Sequence, residues 1–163
     1  MDQPKRKQIR LPSFDYSTPA AYFITFCTQN KRCILSSISA ANSVFDAPQP
    51  ALTATGKIVE KYILSMSKVP GVQVEKYVIM PNHVHLLLVI TKENASARPT
   101  SPANYIIPRA ISALKRFIDK DAGGEIWQRS YYEHIVRNER DYREIWQYIE
   151  DNPAKWAEDS YYS

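Results

Sequence analysis

Residues Pro81-Asn82-His83-Val84-His85-Leu86-Leu87-Leu88-Val89-Ile90 place two of the chain's three histidines one residue apart at the head of an aliphatic run. Such a run reads as a strand. A strand alternates faces, so His83, His85, Leu87 and Val89 point one way and Val84, Leu86, Leu88 and Ile90 the other. Two imidazoles then stand side by side on one face of a strand whose other face is wholly apolar. From alternate positions both can reach one divalent ion. A histidine pair alone is a weak site and needs at least one further ligand. His134, or a carboxylate or amide from elsewhere, are the candidates. No cysteine lies near in sequence, which favours an open site with water or substrate over a closed structural zinc site. The same spacing also suits a hydrogen-bonded pair without metal.

A second group of residues able to do chemistry lies at Tyr148-Ile149-Glu150-Asp151-Asn152-Pro153. Asn138 can cap a helix here, with Asp141 at the third position reaching back, and Pro153 marks its end. The spacing predicts a helix from residue 139 to about 151. Tyr142, Ile145, Trp146 and Ile149 form its apolar stripe, and Tyr148 and Asn152, four apart, lie along the edge of that stripe. A residue there is held by the core while its tip faces a cleft. Laid against the histidine face of the sheet, this helix would bring Asn152 to the metal and Tyr148 beside it. A residue before proline is disfavoured in the α region, so Asn152 is expected to leave the helical direction. The chain has 11 tyrosines, and by position alone Tyr131, Tyr132, Tyr142, Tyr161 and Tyr162 rival Tyr148.

The elements that must position these groups follow from periodicity and turn signals. Residues 21–28 are aromatic and β-branched, a strand. Residues 36–50 are small, polar and proline-bearing, an irregular excursion. Over 53–67, Ile58, Val59, Tyr62, Ile63 and Met66 follow helical spacing, and Pro70-Gly71 ends that element. Residues 72–80 form a second strand, and Pro81-Asn82 turns it into the histidine strand as an antiparallel hairpin. Residues 94–102 are a loop. Pro108 suits the first turn of a helix whose apolar face is Ile111, Leu114, Phe117 and Ile118, closed by residues 121–124. Residues 131–137 make a fourth strand. The order strand, helix, strand, strand, helix, strand, helix matches the split βαβ arrangement. The expected fold is α+β and ferredoxin-like: an antiparallel sheet, first and third strands central, helices on one face, histidines on the open face, and the last helix carrying Tyr148.

At 163 residues with 44% hydrophobic and 23% charged, the chain is expected to be one domain over 1–163 with a real core. The formal charge of +4 is a mild pointer to an anionic partner. Its distribution says more: Lys5, Arg6, Lys7 and Arg10 crowd a flexible basic arm over about 1–12, whereas acids concentrate between Glu139 and Asp159. Cys27 and Cys33 fit no usual zinc spacing and are expected to be free thiols in a reducing compartment. No signal peptide or membrane span is visible, so the expected location is the cytosol.

His83-Val84-His85 resembles the HUH motif (histidine, bulky hydrophobe, histidine) of single-strand DNA endonucleases. The surrounding Met80-Pro81-Asn82-His83-Val84-His85-Leu86-Leu87 is close to the pattern of the REP-associated tyrosine transposases, a domesticated branch of the single-tyrosine insertion-sequence transposases. The likeness extends to Ile9-Arg10-Leu11-Pro12 with Asp15-Tyr16, to Tyr22-Phe23-Ile24-Thr25 and to Trp127-Gln128-Arg129. It continues through Tyr132-Glu133-His134, Arg137-Asn138-Glu139, and Tyr148-Ile149 with Asn152-Pro153 and Trp156.

The resemblance implies that Tyr148 is a nucleophile. It implies that His83, His85 and Asn152 bind magnesium or manganese, and that the substrate is single-stranded DNA with a hairpin, a repetitive extragenic palindrome in the better-known relatives. Cleavage would leave a 5′-phosphotyrosine. DNA contacts are expected from Lys5, Arg6, Lys7 and Arg10 at the hairpin foot, Arg109, Lys115 and Arg116 along phosphates, and Gln128 and Arg129 at bases or backbone. Related transposases exchange the tyrosine helix in a homodimer, while domesticated ones can act alone, so both assemblies stay open. Two other readings compete: a DNA-binding regulator of the same fold that cuts little, and an unrelated metal-binding ferredoxin-like enzyme with His134 as third ligand.

Overall fold

The computed structural model describes residues 20–39, 47–91 and 106–162. The basic arm, the loop expected at 94–102 and much of the excursion at 36–50 fall wholly or partly outside these. In chain order the elements are β1 (Ala20–Cys27), β2 (Ser36–Ile38), β3 (Pro50–Leu52), α1 (Ala54–Ser65), β4 (Val72–Ile79), β5 (His83–Ile90), α2 (Ile106–Ala122), β6 (Tyr132–Ile135) and α3 (Glu139–Asp151). Four strands form one antiparallel sheet in the order β4-β5-β1-β6. The first strand and the histidine strand are therefore the central pair, as the split βαβ order predicts.

The two faces of β5 separate as its alternation requires. Val84, Leu86, Leu88 and Ile90 join Tyr22, Ile24 and Phe26 of β1 in the main core, beneath Val59 and Ile63 of α1 and Ile107, Ile111, Leu114 and Ile118 of α2. On the other face Phe23, Val78, Met80 and Leu87 pack against Ile145 and Ile149 of α3. The histidine face is thus not open: α3 covers it, because its apolar stripe needs a partner surface. His83 is 0% exposed and His85 1%.

Several boundaries differ from the sequence reading, each for a local reason. Residues 36–38 and 50–52, at the two ends of the expected excursion and just beyond it, form short strands β2 and β3, paired from Ser36↔Leu52 to Ile38↔Pro50. Three-residue strands carry too little alternation to be read. Helix α1 starts after Thr53, whose Oγ1 accepts from Gly56 N at 3.0 Å, and it tightens into a 3-10 turn at Met66–Lys68 before Gly71 adopts φ 79. Asn138 caps α3 as expected, its Oδ1 accepting from Asp141 N at 2.8 Å. Asp141 does not reach back to the cap; its Oδ2 instead accepts from Arg137 N at 3.1 Å and lies 2.8 Å from His134 Nε2. Asn152 keeps helical angles (φ −57, ψ −44) despite Pro153, since the chain runs on in hydrogen-bonded turns with Lys155 N donating to Asp151 O. Among the described residues no helix is long and apolar enough to cross a membrane.

Gly56 marks the tightest contact between layers. Thr53 Oγ1 donates to Ile34 O at 2.7 Å and Leu35 O at 3.0 Å, pressing the first turn of α1 onto that backbone. A Cβ on Gly56 would sit 1.9 Å from Leu35 O. Backbone cannot yield as a flexible side chain can, so Gly56→Ala should lower unfolding free energy by about 1–3 kcal/mol. Urea melts test this. Gly124→Ala, with nothing within 4 Å of its Cβ, is the control and should leave the midpoint nearly unchanged.

Candidate functional site

The register of β5 against β1 sets Thr25 opposite His85 and Cys27 opposite His83. Thr25 Oγ1 lies 2.6 Å from His85 Nδ1, and Asn82 Oδ1 lies 2.8 Å from His83 Nδ1. The Asn82 amide has a fixed orientation because its Nδ2 donates to Tyr161 O at 2.7 Å and to Lys31 O at 3.4 Å. Its oxygen only accepts, so His83 carries its proton on Nδ1 and presents a lone pair at Nε2. The two Nε2 atoms are 3.1 Å apart. Two proton arrangements satisfy the pair. In one, Thr25 donates to His85 Nδ1 and His85 Nε2–H donates to His83. In the other, His85 Nδ1–H donates to Thr25 and both Nε2 lone pairs converge, a donor set for a cation.

Both rings are neutral at neutral pH. Burial pushes His83 down to about 4, against the opposing pull of Asp159 and Asn152. Burial likewise holds His85 well below the usual imidazole range, and His83 beside it adds to the effect.

Helix α3 brings the tyrosine to this pair. Ile145 and Ile149 anchor it, Tyr142 Oη donates to Glu75 Oε2 at 3.3 Å, and Lys76 of β4 pairs with Glu150 while sitting 4.4 Å from the Trp146 ring. The Tyr148 ring then lies edge-on to His85 at 5.2 Å and to Phe23 at 5.9 Å between centroids. Tyr148 is 45% exposed. Burial raises its pKa above the ordinary 10, Asp159 adds to this and Asn152 opposes it, so the phenol keeps its proton at neutral pH. One helical turn on, Asn152 is 3% exposed and its Oδ1 has no hydrogen-bond partner. An unsatisfied buried acceptor costs about 1–3 kcal/mol. A cation among the imidazoles would satisfy it, so these residues fit a metal.

The C-terminal segment completes the enclosure. Asp159 Oδ2 is 3.8 Å from His83 Nε2 and its side chain is 4% exposed. The ligand atoms of His83, His85 and Asp159 all lie within 4.8 Å of one another. Tyr161 lies over His83 with ring centroids 4.4 Å apart. A cavity of about 290 Å³ opens beside this group, lined by Tyr148, Asn152, Lys155 and Asp159 among others. Asp159 escapes a sequence reading; Tyr161 reads only as a positional rival of Tyr148, and Thr25 only as part of a strand. Asn82 stood inside the quoted motif but reads only as a turn residue.

The remaining expected residues scatter. His134 lies 2.8 Å from Asp141 Oδ2 through Nε2 and is not in the group of ligand atoms formed among the described residues by His83, His85 and Asp159. Lys5, Arg6, Lys7 and Arg10 lie outside the described residues. Arg109 and Arg116 are exposed on α2, the helix packed on the opposite sheet face. Lys115 turns inward: Nζ donates to Gln128 O at 2.9 Å and Ser130 O at 3.1 Å, and burial pushes its pKa down to about 8. Gln128 and Arg129 join Gln29, Asn30 and Lys31 around an open cavity of about 650 Å³. That cavity adjoins the site, since Lys31 Nζ is 6.0 Å from the Tyr161 ring. Asn30 and Lys31 turn there with φ 55 and 51, a conformation that sequence does not announce.

A family model described as "Transposase IS200 like" matches residues 20–152. The chain is 30% identical over 174 residues to an uncharacterized protein of Haemophilus influenzae, covering 96% of this chain and 93% of that one. It is 24% identical over 104 residues to a REP-associated tyrosine transposase of Escherichia coli, covering 64% of this chain and 58% of that protein. Its fold is similar to that of a REP-associated tyrosine transposase solved bound to a REP hairpin, with TM-score 0.62, 20% identity, and coverage of 90% of this chain and 72% of the other. At that identity the structural likeness speaks for the fold.

Acid should destabilise the metal-free protein through these imidazoles. Because the folded pKa of His83 lies below its ordinary 6.5, the unfolded chain binds more protons below that pH. Stability is therefore full above about 6.5 and is lost as pH falls toward about 4. Thermal melts in EDTA across that window should show a steeper fall of Tm in the wild type than in His83→Gln. Parallel curves would show that His83 is hydrated rather than buried.

Proposed function

The chain belongs to the IS200-like transposase family, and from that premise we propose that it cuts and rejoins single-stranded DNA through Tyr148, beside a divalent ion held by His83, His85 and Asn152. The observation that carries this reading is the approach of Tyr148 to within 5.2 Å of His85, between ring centroids, one helical turn from the orphaned Oδ1 of Asn152.

The Tyr148 hydroxyl attacks the scissile phosphorus as its proton departs. The bond from phosphorus to the 3′-oxygen breaks, and that oxygen takes up a proton to become a free 3′-hydroxyl. The 5′ side stays on the protein as a phosphotyrosine diester. Since one diester replaces another, a 3′-hydroxyl can later attack it, expel the tyrosine oxygen and rejoin the strand without ATP. Bound in this site, magnesium or manganese would act as a Lewis acid on the non-bridging phosphate oxygens and fix their orientation. Asn82 and Thr25 hold the two imidazoles in position and tautomer. Phe23 and His85 hold the Tyr148 ring edge-on, which limits the directions its hydroxyl can take.

Helix α3 packs through Ile145 and Ile149 against the sheet of its own chain, and we assign action in cis. The substrate we assign is single-stranded DNA next to a hairpin of the REP type. Gln128 and Arg129, with the turn at Gln29–Lys31, line one open cavity and are our choice for contacts to the strand. The basic arm, with Lys5, Arg6, Lys7 and Arg10, supplies charge for the hairpin foot.

A second reading, a regulator of the same fold that binds DNA and cuts little, draws on the burial of both imidazoles beneath Tyr161. One assay separates the two. With labelled hairpin-bearing single strands and manganese, the wild type should form a covalent adduct that survives a denaturing gel, and Tyr148→Phe should form none while still shifting the DNA. His83→Ala should lose cleavage and keep binding. Wild-type binding without an adduct selects the regulator.

A further inference from the structure

Asp159 is a buried carboxylate without a cationic partner among the described residues. Its side chain is 4% exposed, and among the described residues it meets only His83 within salt-bridge distance. Oδ1 accepts from Tyr161 N at 2.8 Å. Oδ2 faces His83 Nε2 at 3.8 Å, beyond a hydrogen bond. That nitrogen is the lone-pair side of the ring, because Asn82 holds the proton on Nδ1. An acceptor oxygen thus faces an acceptor nitrogen, and Asn152 Oδ1, on the same cavity as Asp159, is a buried acceptor with no partner. Burying a carboxylate against lone pairs is costly unless a cation sits between them.

The spacing suits such a cation. Oxygen and nitrogen ligands about 2.1 Å from a metal lie about 3.0 Å apart at right angles and about 4.2 Å apart when opposed. The two imidazole Nε2 atoms stand 3.1 Å apart and Asp159 Oδ2 stands 3.8 Å from His83 Nε2. The ligand atoms of His83, His85 and Asp159 all lie within 4.8 Å of one another, so a small contraction brings these three onto one ion.

We propose that Asp159 is a further ligand of the ion held by His83, His85 and Asn152, and that the ion in turn pins the segment over 156–162 onto the site. The inference rests on the metal reading given under Proposed function. It adds a ligand from outside the span 20–152 that the family model matches. The carboxylate also changes the electrostatics. Two imidazoles and an amide leave a divalent ion its full charge, and Asp159 removes one unit of it. Linkage makes the effect mutual: the docked segment tightens metal binding by the same factor by which metal tightens docking.

The test uses the full chain and manganese alone. Affinity is read by electron paramagnetic resonance of free manganese, and docking by amide hydrogen exchange over 156–162. The wild type should bind manganese and gain protection there. Asp159→Asn, which keeps shape and removes charge, should weaken binding by about tenfold or more and abolish the manganese-dependent protection. Glu158→Gln, its neighbour, should stay within about threefold of wild type, because an exposed charge is screened. Wild-type affinity and protection in Asp159→Asn, with binding lost in His85→Ala, would overturn this proposal and leave the histidine site intact. Absence of manganese binding in the wild type would overturn both, and the adduct assay would show independently whether Tyr148 still acts.

Discussion

Strand β5 is bonded on both edges, to β1 and to β4, and its phase cannot slip without inverting the molecule. A shift of one residue would send Val84, Leu86, Leu88 and Ile90 out of the main core and put His83 and His85 into it. Burying each aliphatic side chain there contributes about 1.5–3 kcal/mol, whereas an imidazole among them would have no partner. The apolar face therefore holds the histidine face in place. The two imidazoles, and Thr25, Tyr148 and Asp159 around them, lie on the reverse side of a strand fixed by its hydrophobic side.

The second layer of constraint comes from hydrogen bonds that decide proton positions. Asn82 is caught between Tyr161 O, Lys31 O and His83, and this leaves its oxygen a single role. Thr25 has a rotatable hydroxyl and can either donate to His85 or accept from it. The site thus has one rigid imidazole and one whose tautomer can follow its surroundings. Such an arrangement suits the proposed site, which would be stable empty and could present two lone pairs to an ion.

Helix α3 connects the pocket to the fold as a whole. Its cap at Asn138, its anchors Ile145 and Ile149 and its edge residues Tyr148 and Asn152 share one helical period, so seating the stripe also seats the chemistry. The continued helical geometry at Asn152 matters for this. Had the residue before Pro153 swung to extended angles, its amide would leave the imidazoles. The turns after it bring Asp159 and Tyr161 back across the same face, giving a site roofed by the chain's own C-terminal segment.

The sequence by itself determined whatever follows a local period: the strand phase of His83 and His85, the cap and stripe of α3, the four-residue step from Tyr148 to Asn152, and the element order that yields the sheet. Short strands such as β2 and β3 fell below that resolution, and so did the redirection of Asp141 to His134. Only the tertiary structure decided that the histidine face is covered, that His134 stands apart, that Lys115 is tied to backbone carbonyls, and that Asn82, Thr25 and Asp159 surround the imidazoles. The physical reason is separation along the chain. Thr25 meets His85 across 60 residues and Asn82 meets Tyr161 across 79, and contacts at such distances arise from packing of whole elements, which leaves no repeat in the letters.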